Sequence, residues 1–213
     1  MKNTLVKIIR RLIGDPPVRL EEMPNCPNLF LAYRQLVSSG HKRLPGGWEW
    51  EGEFYPDYLT VGGACFGAIR TARKWCCGEG IDVGAGNWPF PGAKPIDPAR
   101  YPDGLQLSEV PDHSQDYVFT SHTLEHIEKW REALGDIVSK LRGGGVLFVY
   151  LPHPNCGLWR MDNPYMGQHH KWVPEPVVVK KAVLHLGLEI IDFDDGPDIM
   201  MSFFVCARTP EIV

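Results

Sequence analysis

Residues 76–97, CCGEGIDVGAGNWPFPGAKPID, are the stretch that decides the fold. An apolar-rich run at residues 81–83 is followed directly by the triplet GAG at 84–86, and a second short segment ends on Asp97. Because glycine has no side chain, the backbone can turn sharply there and approach a ligand. A strand, a glycine turn, a second strand and a carboxylate form the layout of a nucleotide-type site. Glycine pairs also mark ordinary turns, so this stretch alone leaves both interpretations open.

The spacing within this stretch argues against a dinucleotide site. Trp88 follows closely on the two glycines, and the third glycine of a GxGxxG pattern is absent. Only ten residues separate Gly86 from Asp97, and Pro89 and Pro91 are among them, so a normal crossover helix does not fit. In dinucleotide sites the acidic residue stands ~20 residues further on. We therefore do not predict an NAD site.

Composition indicates one globular unit. The 213 residues are 44% hydrophobic, which is enough for one substantial core with additional surface segments. The net charge of −4 and a pI near 6.1 do not favour general nucleic-acid binding. The six cysteines form no CxxC pattern, which favours free thiols in a reducing cytosol and predicts a cytoplasmic protein. No run approaches the ~20 apolar residues of a membrane span.

The first fourteen residues, MKNTLVKIIRRLIG, combine apolar residues at helical spacing with basic residues and no acid. Such a basic amphipathic helix can lie on an anionic membrane surface, which makes peripheral membrane contact one hypothesis. Packing of this helix on its own domain or on a neighbouring subunit is the favoured alternative.

Periodicity predicts strands separated by helices and then a closing hairpin, which indicates a three-layer α/β sheet. The segment 38–63 is rich in glycine and aromatic residues and predicts either a lid over a ligand site or a cap on the core. We divide the chain into an N-terminal extension, 1–75, and one compact α/β domain, 76–213. The predicted helices are 29–37, 64–75, 123–141 and 175–186, and the later predicted strands are 105–107, 115–121, 145–151, 188–194 and 200–208.

The order of these motifs resembles a known family. GIDVGAG, PID, SQDYVFTSHTLEHI and LRGGGVLFVYLPH follow one another as in class I S-adenosylmethionine-dependent methyltransferases, in particular the type 11-like branch with an "shxLEH" segment. The resemblance covers residues 78–208. It implies a Rossmann-like sheet of seven strands in the order 3-2-1-4-5-7-6, with strand 7 antiparallel. The chain departs from the family pattern at two points. Trp88 occupies the place of the third glycine, and a Pro/Gly turn replaces the first crossover helix.

The resemblance also implies a set of cofactor-binding residues for S-adenosylmethionine. Asp97 corresponds to the acid that holds the ribose hydroxyls, and Asp82 to an acid that orients the amino group directly or through water. Leu107 lies near the adenine position, and the end of the fourth strand lies beside the methionine part. The full set is Asp82, Gly84, Ala85, Gly86, Asp97, Leu107, Ser121, His122 and His126.

Candidate catalytic residues are histidines near the ligand-facing ends of the strands. His153 and His122 are the favoured general bases, because imidazole titrates near neutral pH. Methyl transfer needs mainly positioning, so no base is required by the chemistry. His153, Cys156, His169 and His170 match no standard zinc spacing, and no metal is predicted.

These observations predict an enzyme, an S-adenosylmethionine-dependent methyltransferase that acts on a small-molecule or glycan-type acceptor, with Asp162, Asn163 and Tyr165 near the acceptor. A non-catalytic methyltransferase-like binding or scaffold protein is the alternative, because the glycine motif is incomplete and no base is compelling.

Overall fold

A computed structural model describes most of the predicted α/β domain and part of the chain before it. The described residues are 42–45, 47–50, 53–56, 65–86, 89–99, 101–156, 161, 169–198 and 201–211. The helices predicted at 1–14 and 29–37 lie outside these residues, as do Asp162, Asn163 and Tyr165, which were predicted near the acceptor. No helix in the described part of the chain has the length and apolar character needed to cross a membrane.

The glycine- and aromatic-rich segment contains a small antiparallel sheet. Its strands are β1 (Lys42–Leu44), β2 (Gly47–Trp50) and β3 (Glu53–Pro56), in the order β1-β2-β3. The sequence analysis did not predict these strands, because prolines and glycines interrupt the alternation of the segment. A role as lid or cap stays a prediction.

The main sheet has six described strands. They are β4 (Gly80–Val83), β5 (Lys94–Ile96), β6 (Gln115–Ser121), β7 (Leu141–Pro152), β8 (Glu189–Asp194) and β9 (Ser202–Arg208). The spatial order is β5-β4-β6-β7-β9-β8. The first four strands are parallel, and β9 is antiparallel to both β7 and β8. This confirms the predicted mostly parallel sheet with a closing antiparallel hairpin.

Side-chain alternation along the central strands builds a core on each face of the sheet. On β6, Val118 lies in one cluster, whereas Tyr117 and Phe119 lie in the other. Helices α2 (Trp130–Ser139) and α3 (Pro176–His185) contribute Leu134 and Val179 to the first cluster. Helix α1 (Cys65–Ala72) contributes Ala68 and Ala72 to the second. The domain is therefore a helix–sheet–helix sandwich, as predicted.

The third strand implied by the family resemblance does not form in the described residues. The predicted strand at 105–107 is instead the entry to a 3-10 helix, Leu107–Glu109. The Glu109 carboxylate accepts a hydrogen bond from the Gln106 backbone N–H at 2.8 Å, which closes a local turn and removes that donor from strand pairing. The described sheet thus has six strands where seven were expected.

The helix predicted at 123–141 is shorter than its periodicity suggested. The first residues of the predicted segment form a separate 3-10 turn, Leu124–His126. Ile127 is extended, and α2 starts only at Trp130. At the other end, Leu141 pairs with Gln115 in the sheet, so residue 141 belongs to β7 and not to the predicted helix. Arg142 consequently lies on a strand and forms an ion pair with Asp116.

Candidate functional site

A cleft of about 650 Å³ opens at the carboxyl ends of β4, β5 and β6. Parallel strands end at one edge of a sheet, and ligands of open α/β sheets bind there. The strand ends supply residues from three separated parts of the sequence, and the segments 106–108 and 122–127 close the sides. The lining residues are Val83, Gly84, Ile96, Asp97, Pro98, Ala99, Gln106, Leu107, Ser108, His122, Thr123, His126 and Ile127.

Gly84 forms the turn at the end of β4, and this position requires glycine. Its φ is +79°, and a Cβ placed there would collide with the Thr123 side chain. The Thr123 hydroxyl lies 3.2 Å from the Val83 carbonyl and 3.0 Å from the Ser121 carbonyl, its two candidate acceptors. The Gly84 amide donates to the Ile96 carbonyl at 2.8 Å. The bend therefore joins the ends of three strands at the floor of the cleft.

Asp97 follows β5 and lines the cleft. Its Oδ2 accepts a hydrogen bond from the Gly86 amide at 2.9 Å, and its Oδ1 accepts one from the Ala99 amide at 3.0 Å. A carboxylate offers about four acceptor positions, so one such group can accept from several donors at once. The same bonds fix the carboxylate between the glycine turn and the loop after β5.

Asp82 lies beneath the glycine turn and does not line the cleft. It is 1% exposed, and its Oδ2 accepts a hydrogen bond from the Phe90 amide at 2.7 Å. Burial raises the pKa of its carboxyl to about 7; the Phe90 bond opposes this shift, and the negative charge of Asp97 adds to it. In this position Asp82 supports the backbone of the 84–90 turn.

His122 stands at the end of β6 with a left-handed backbone, φ +49°. Its Nε2 is 3.0 Å from the Ser202 hydroxyl, and its Nδ1 is 3.4 Å from Glu125 Oε1. Burial, with the nearby His170 and His126, lowers the pKa of His122 to about 3, and burial raises the pKa of Glu125 to about 8. His122 is therefore a weak base at neutral pH.

Glu125, His126 and His170 form a compact group beside the cleft. Their candidate metal-ligating atoms all lie within 4.8 Å of one another. Glu125 and His170 are buried, and His126, which is partly exposed, also lines the cleft. Burial lowers the pKa of His126, and the carbonyl of His169, 3.3 Å from Nδ1, opposes that shift.

His153 follows β7 at the same edge of the sheet, yet it does not line the cleft. Its Nδ1 accepts a hydrogen bond from the Asn155 amide at 3.2 Å. A neutral imidazole that accepts at Nδ1 carries its proton on Nε2, an arrangement that does not favour a general base. Burial lowers the pKa of His153, and Asp195 opposes this shift.

The structure thus brings about half of the predicted site residues into one cleft. Gly84, Asp97, Leu107, His122 and His126 line it. The remaining predicted residues, which lie at strand ends or beneath the turn without lining the cleft, are Asp82, Ala85, Gly86, Ser121 and His153.

Sequence analysis missed several cleft residues, notably Gln106, Ser108 and Thr123. Thr123 could have been found from its place inside the SHTLEH segment directly after a predicted strand. Gln106 and Ser108 carry no comparable signal, since they belong to a loop whose path depends on the tertiary fold.

A second cavity of about 400 Å³ lies between α2 and α3, on the outer helical layer. Its walls include Leu134, Val178 and Ala182, with Arg131 and Lys181 at its border. None of the residues at the strand ends lines it, so the chemistry-bearing side chains converge on the first cleft.

Comparison with known family models gives a match over part of the chain. A family model described as "Methyltransferase domain" matches residues 97–149, which run from the Asp97 loop to β7. No curated protein matches the sequence.

Solved structures share the fold at low sequence identity. An S-adenosylmethionine-dependent methyltransferase from Thermotoga maritima is 14% identical, with a TM-score of 0.56, over 71% of this chain and 92% of its own. One from Archaeoglobus fulgidus is 18% identical, with a TM-score of 0.50, over 67% and 92%. Phosphoethanolamine N-methyltransferase 2 of Haemonchus contortus, in complex with S-adenosylmethionine, is 11% identical, with a TM-score of 0.52, over 68% and 53%.

The shared fold places the carboxyl-end cleft where α/β enzymes bind their ligands, and the matched segment includes Asp97 and the SHTLEH residues. The described sheet and its helices therefore have the fold of these S-adenosylmethionine-dependent methyltransferases, and residues 97–149 match the methyltransferase-domain model.

Proposed function

We propose that this protein transfers the methyl group of S-adenosylmethionine to a small-molecule or glycan-type acceptor. The observation that carries the proposal is the cleft itself, in which Gly84, Asp97 and His122 meet from three different strand ends. Its volume of about 650 Å³ is within the range of roughly 300–1,000 Å³ of small-ligand sites.

In this proposal the strand ends hold the cofactor. Asp97 accepts hydrogen bonds from the ribose hydroxyls, and Leu107 lies against the adenine. The backbone of residues 84–86 and the segment that begins at Ser121 lie against the methionine part. Asp82 acts through the turn above it, because its carboxylate already accepts the Phe90 amide. His122 and His126 border the same space.

Cofactor chemistry supplies an electrophilic methyl group on sulfur, and the protein aligns the acceptor with it. The low pKa of His122 and the Nδ1 bond of His153 make both weak candidates for proton removal. We therefore assign His122 to positioning, and we keep His153 as a candidate base to be tested by substitution. An acceptor atom that needs no strong base fits this site.

Transfer of a labelled methyl group tests the proposal. We expect label from S-adenosylmethionine to appear in at least one member of a panel of amines, phenols, hydroxy acids and oligosaccharides, and Asp97→Ala to reduce it. Cofactor binding without transfer to any member would favour the non-catalytic scaffold alternative, which the incomplete glycine motif also supports.

We further propose a cytoplasmic location, supported by Cys76, Cys77, Cys156 and Cys206, which form no disulfide. Peripheral membrane contact through residues 1–14 is a separate hypothesis, supported by their basic amphipathic pattern. Flotation with anionic liposomes, before and after deletion of these residues, tests it, and equal flotation would remove it.

A further inference from the structure

We propose that Glu125, His126 and His170 bind a divalent transition-metal cation, with zinc as the reference ion. Two imidazoles and one carboxylate form the ligand set of many catalytic zinc and non-haem iron sites, in which further coordination positions stay open. The sequence predicted no metal, because the set considered there, His153, Cys156, His169 and His170, matches no standard zinc spacing; of these only His170 belongs to the present group. The proximity arises only when the segment 169–172 folds onto the turn at 124–126.

The buried carboxylate is the observation that points to a ligand. Glu125 is 0% exposed, and neither of its side-chain oxygens has a hydrogen-bond partner among the described residues. Buried polar atoms in proteins are nearly always paired, so an unpaired carboxylate calls for an explanation. The closest cationic or imidazole atoms are His122 Nδ1 at 3.4 Å and His126 Nε2 at 3.8 Å. Both distances exceed a normal hydrogen bond.

His126 is oriented as a metal ligand. The carbonyl oxygen of His169 lies 3.3 Å from Nδ1 and can accept its hydrogen, while Nε2 faces the Glu125 carboxylate. An imidazole that donates from one nitrogen to a carbonyl presents a lone pair on the other, which is the usual outer-shell arrangement of metal-bound histidine. His170 packs edge-on against His126, with ring centroids 4.9 Å apart.

The segment that carries His170 is firmly attached to the turn that carries the other two ligands. The Lys171 amide donates to the Glu125 carbonyl at 2.7 Å, and Trp172 Nε1 donates to the Leu124 carbonyl at 2.8 Å. Trp172 also stacks on Trp130, with ring centroids 4.1 Å apart and planes inclined by 10°. These hydrogen bonds and the ring stack therefore hold the three ligand side chains near one another.

The ligand atoms are slightly further apart than in a closed site. They lie within 4.8 Å of one another, whereas tetrahedral ligands at 2.0–2.2 Å from zinc are about 3.4 Å apart. Contraction by up to about 1.4 Å, through rotation of the side chains, would close the site.

His126 connects this site with the proposed cofactor cleft, because it belongs to both. A cation with an open position there can bind an oxygen of the acceptor and lower the pKa of its hydroxyl. This role rests on the proposed function and favours a hydroxyl-bearing acceptor, whereas cation binding itself does not depend on that function.

Calorimetric titration with zinc and absorption spectroscopy with cobalt test the site on the full chain. We expect one equivalent bound, with cobalt bands typical of nitrogen and oxygen ligands and without the thiolate band that binding at Cys77 would give. Glu125→Gln and His170→Gln should each weaken binding at least tenfold, since even outer-shell changes cost about 10–100-fold. His185→Gln, an exposed histidine at the end of α3, is the matched control and should bind normally.

No cation binding by the unsubstituted protein, equal binding by Glu125→Gln or His170→Gln, or a loss caused by His185→Gln would each overturn the site. His170 does not line the cleft, so His170→Gln should still bind S-adenosylmethionine. If the unsubstituted protein binds the cation but does not bind S-adenosylmethionine, the proposed function fails and the metal site stands.

Discussion

At the scale of single residues, the two glycines of the turn make different demands. Both have positive φ, +79° at Gly84 and +55° at Gly86. A Cβ on Gly84 would collide with Thr123, whereas one on Gly86 would meet no atom within 4 Å. The GxG pattern therefore contains one residue required by packing and one required only by backbone conformation.

We predict that Gly84→Ala lowers the free energy of unfolding more than Gly86→Ala. The left-handed conformation costs a non-glycine residue about 1–2 kcal/mol, and Gly84→Ala adds the collision with Thr123. Urea unfolding of both variants measures the difference. Equal losses would show that the contact between Gly84 and Thr123 does not hold the strand ends together.

Asp82 gives a pH-dependent prediction. Its pKa is raised from 3.8 to about 7 in the folded protein, so the unfolded chain releases this proton first as the pH rises. Between about pH 4 and pH 7 the folded state binds more protons, and this group lowers stability progressively with rising pH; the penalty is complete above about pH 7. Below pH 4 it is absent.

Asp82→Asn removes the titration while its amide oxygen can still accept the Phe90 hydrogen bond. We expect the stability of Asp82→Asn, minus that of the unsubstituted protein, to increase from pH 4 to pH 7 by a few kcal/mol. Guanidinium unfolding across this range measures it. A difference that is constant with pH would contradict the burial of a protonated carboxyl at this position.

At the scale of elements, the contact between Trp172 and the 124–126 turn tests how the loop after β7 is held. Trp172→Phe removes the hydrogen bond to the Leu124 carbonyl but keeps an aromatic ring against Trp130. We expect a loss of about 0.5–1.5 kcal/mol in unfolding free energy. Trp172→Ala, which also removes the stack, should lose more, and a smaller loss than that of Trp172→Phe would contradict this packing.

Sequence predicted the central elements well because their signals are local. The run QDYVFTS at 115–121 is a strand as expected, and the helix predicted at 175–186 is α3, Pro176–His185. Segments whose structure depends on partners were harder: Gln106 bonds to Glu109 rather than to a neighbouring strand, and Leu141 joins the sheet because Gln115 lies opposite it.

The same difference between local signals and distant partners applies to the candidate site. Gly84 and Asp97 were predictable, since a strand end and a turn residue identify themselves in sequence. The approach of His170 to Glu125 was not, because it depends on the Trp172 and Lys171 hydrogen bonds across more than 40 residues of chain.

At the scale of the whole molecule, α1 bears on the predicted domain boundary at residue 75. Ala68 and Ala72 are 2% and 0% exposed in the second core cluster, and Trp75 donates from Nε1 to Asp192 on β8 at 2.9 Å. We therefore propose that the domain begins before α1, with the small sheet β1–β3 outside it.

Truncation tests this boundary. A fragment of residues 65–213 should unfold cooperatively, whereas residues 76–213 should lose at least about 2 kcal/mol, because removal of buried α1 side chains leaves a cavity against the sheet. Thermal unfolding followed by circular dichroism compares them. Equal stability of the two fragments would support the boundary at residue 75.

The central claim is that the cleft at the carboxyl ends of β4, β5 and β6 holds S-adenosylmethionine through Asp97. Isothermal titration calorimetry with this cofactor tests it most directly, on the unsubstituted protein, on Asp97→Ala, and on Asp136→Ala as an exposed control on α2. We predict binding by the first and third, and a loss of about 1–3 kcal/mol, or roughly 5- to 150-fold in Kd, for Asp97→Ala. No binding at millimolar cofactor, or equal affinity of Asp97→Ala, would contradict the claim.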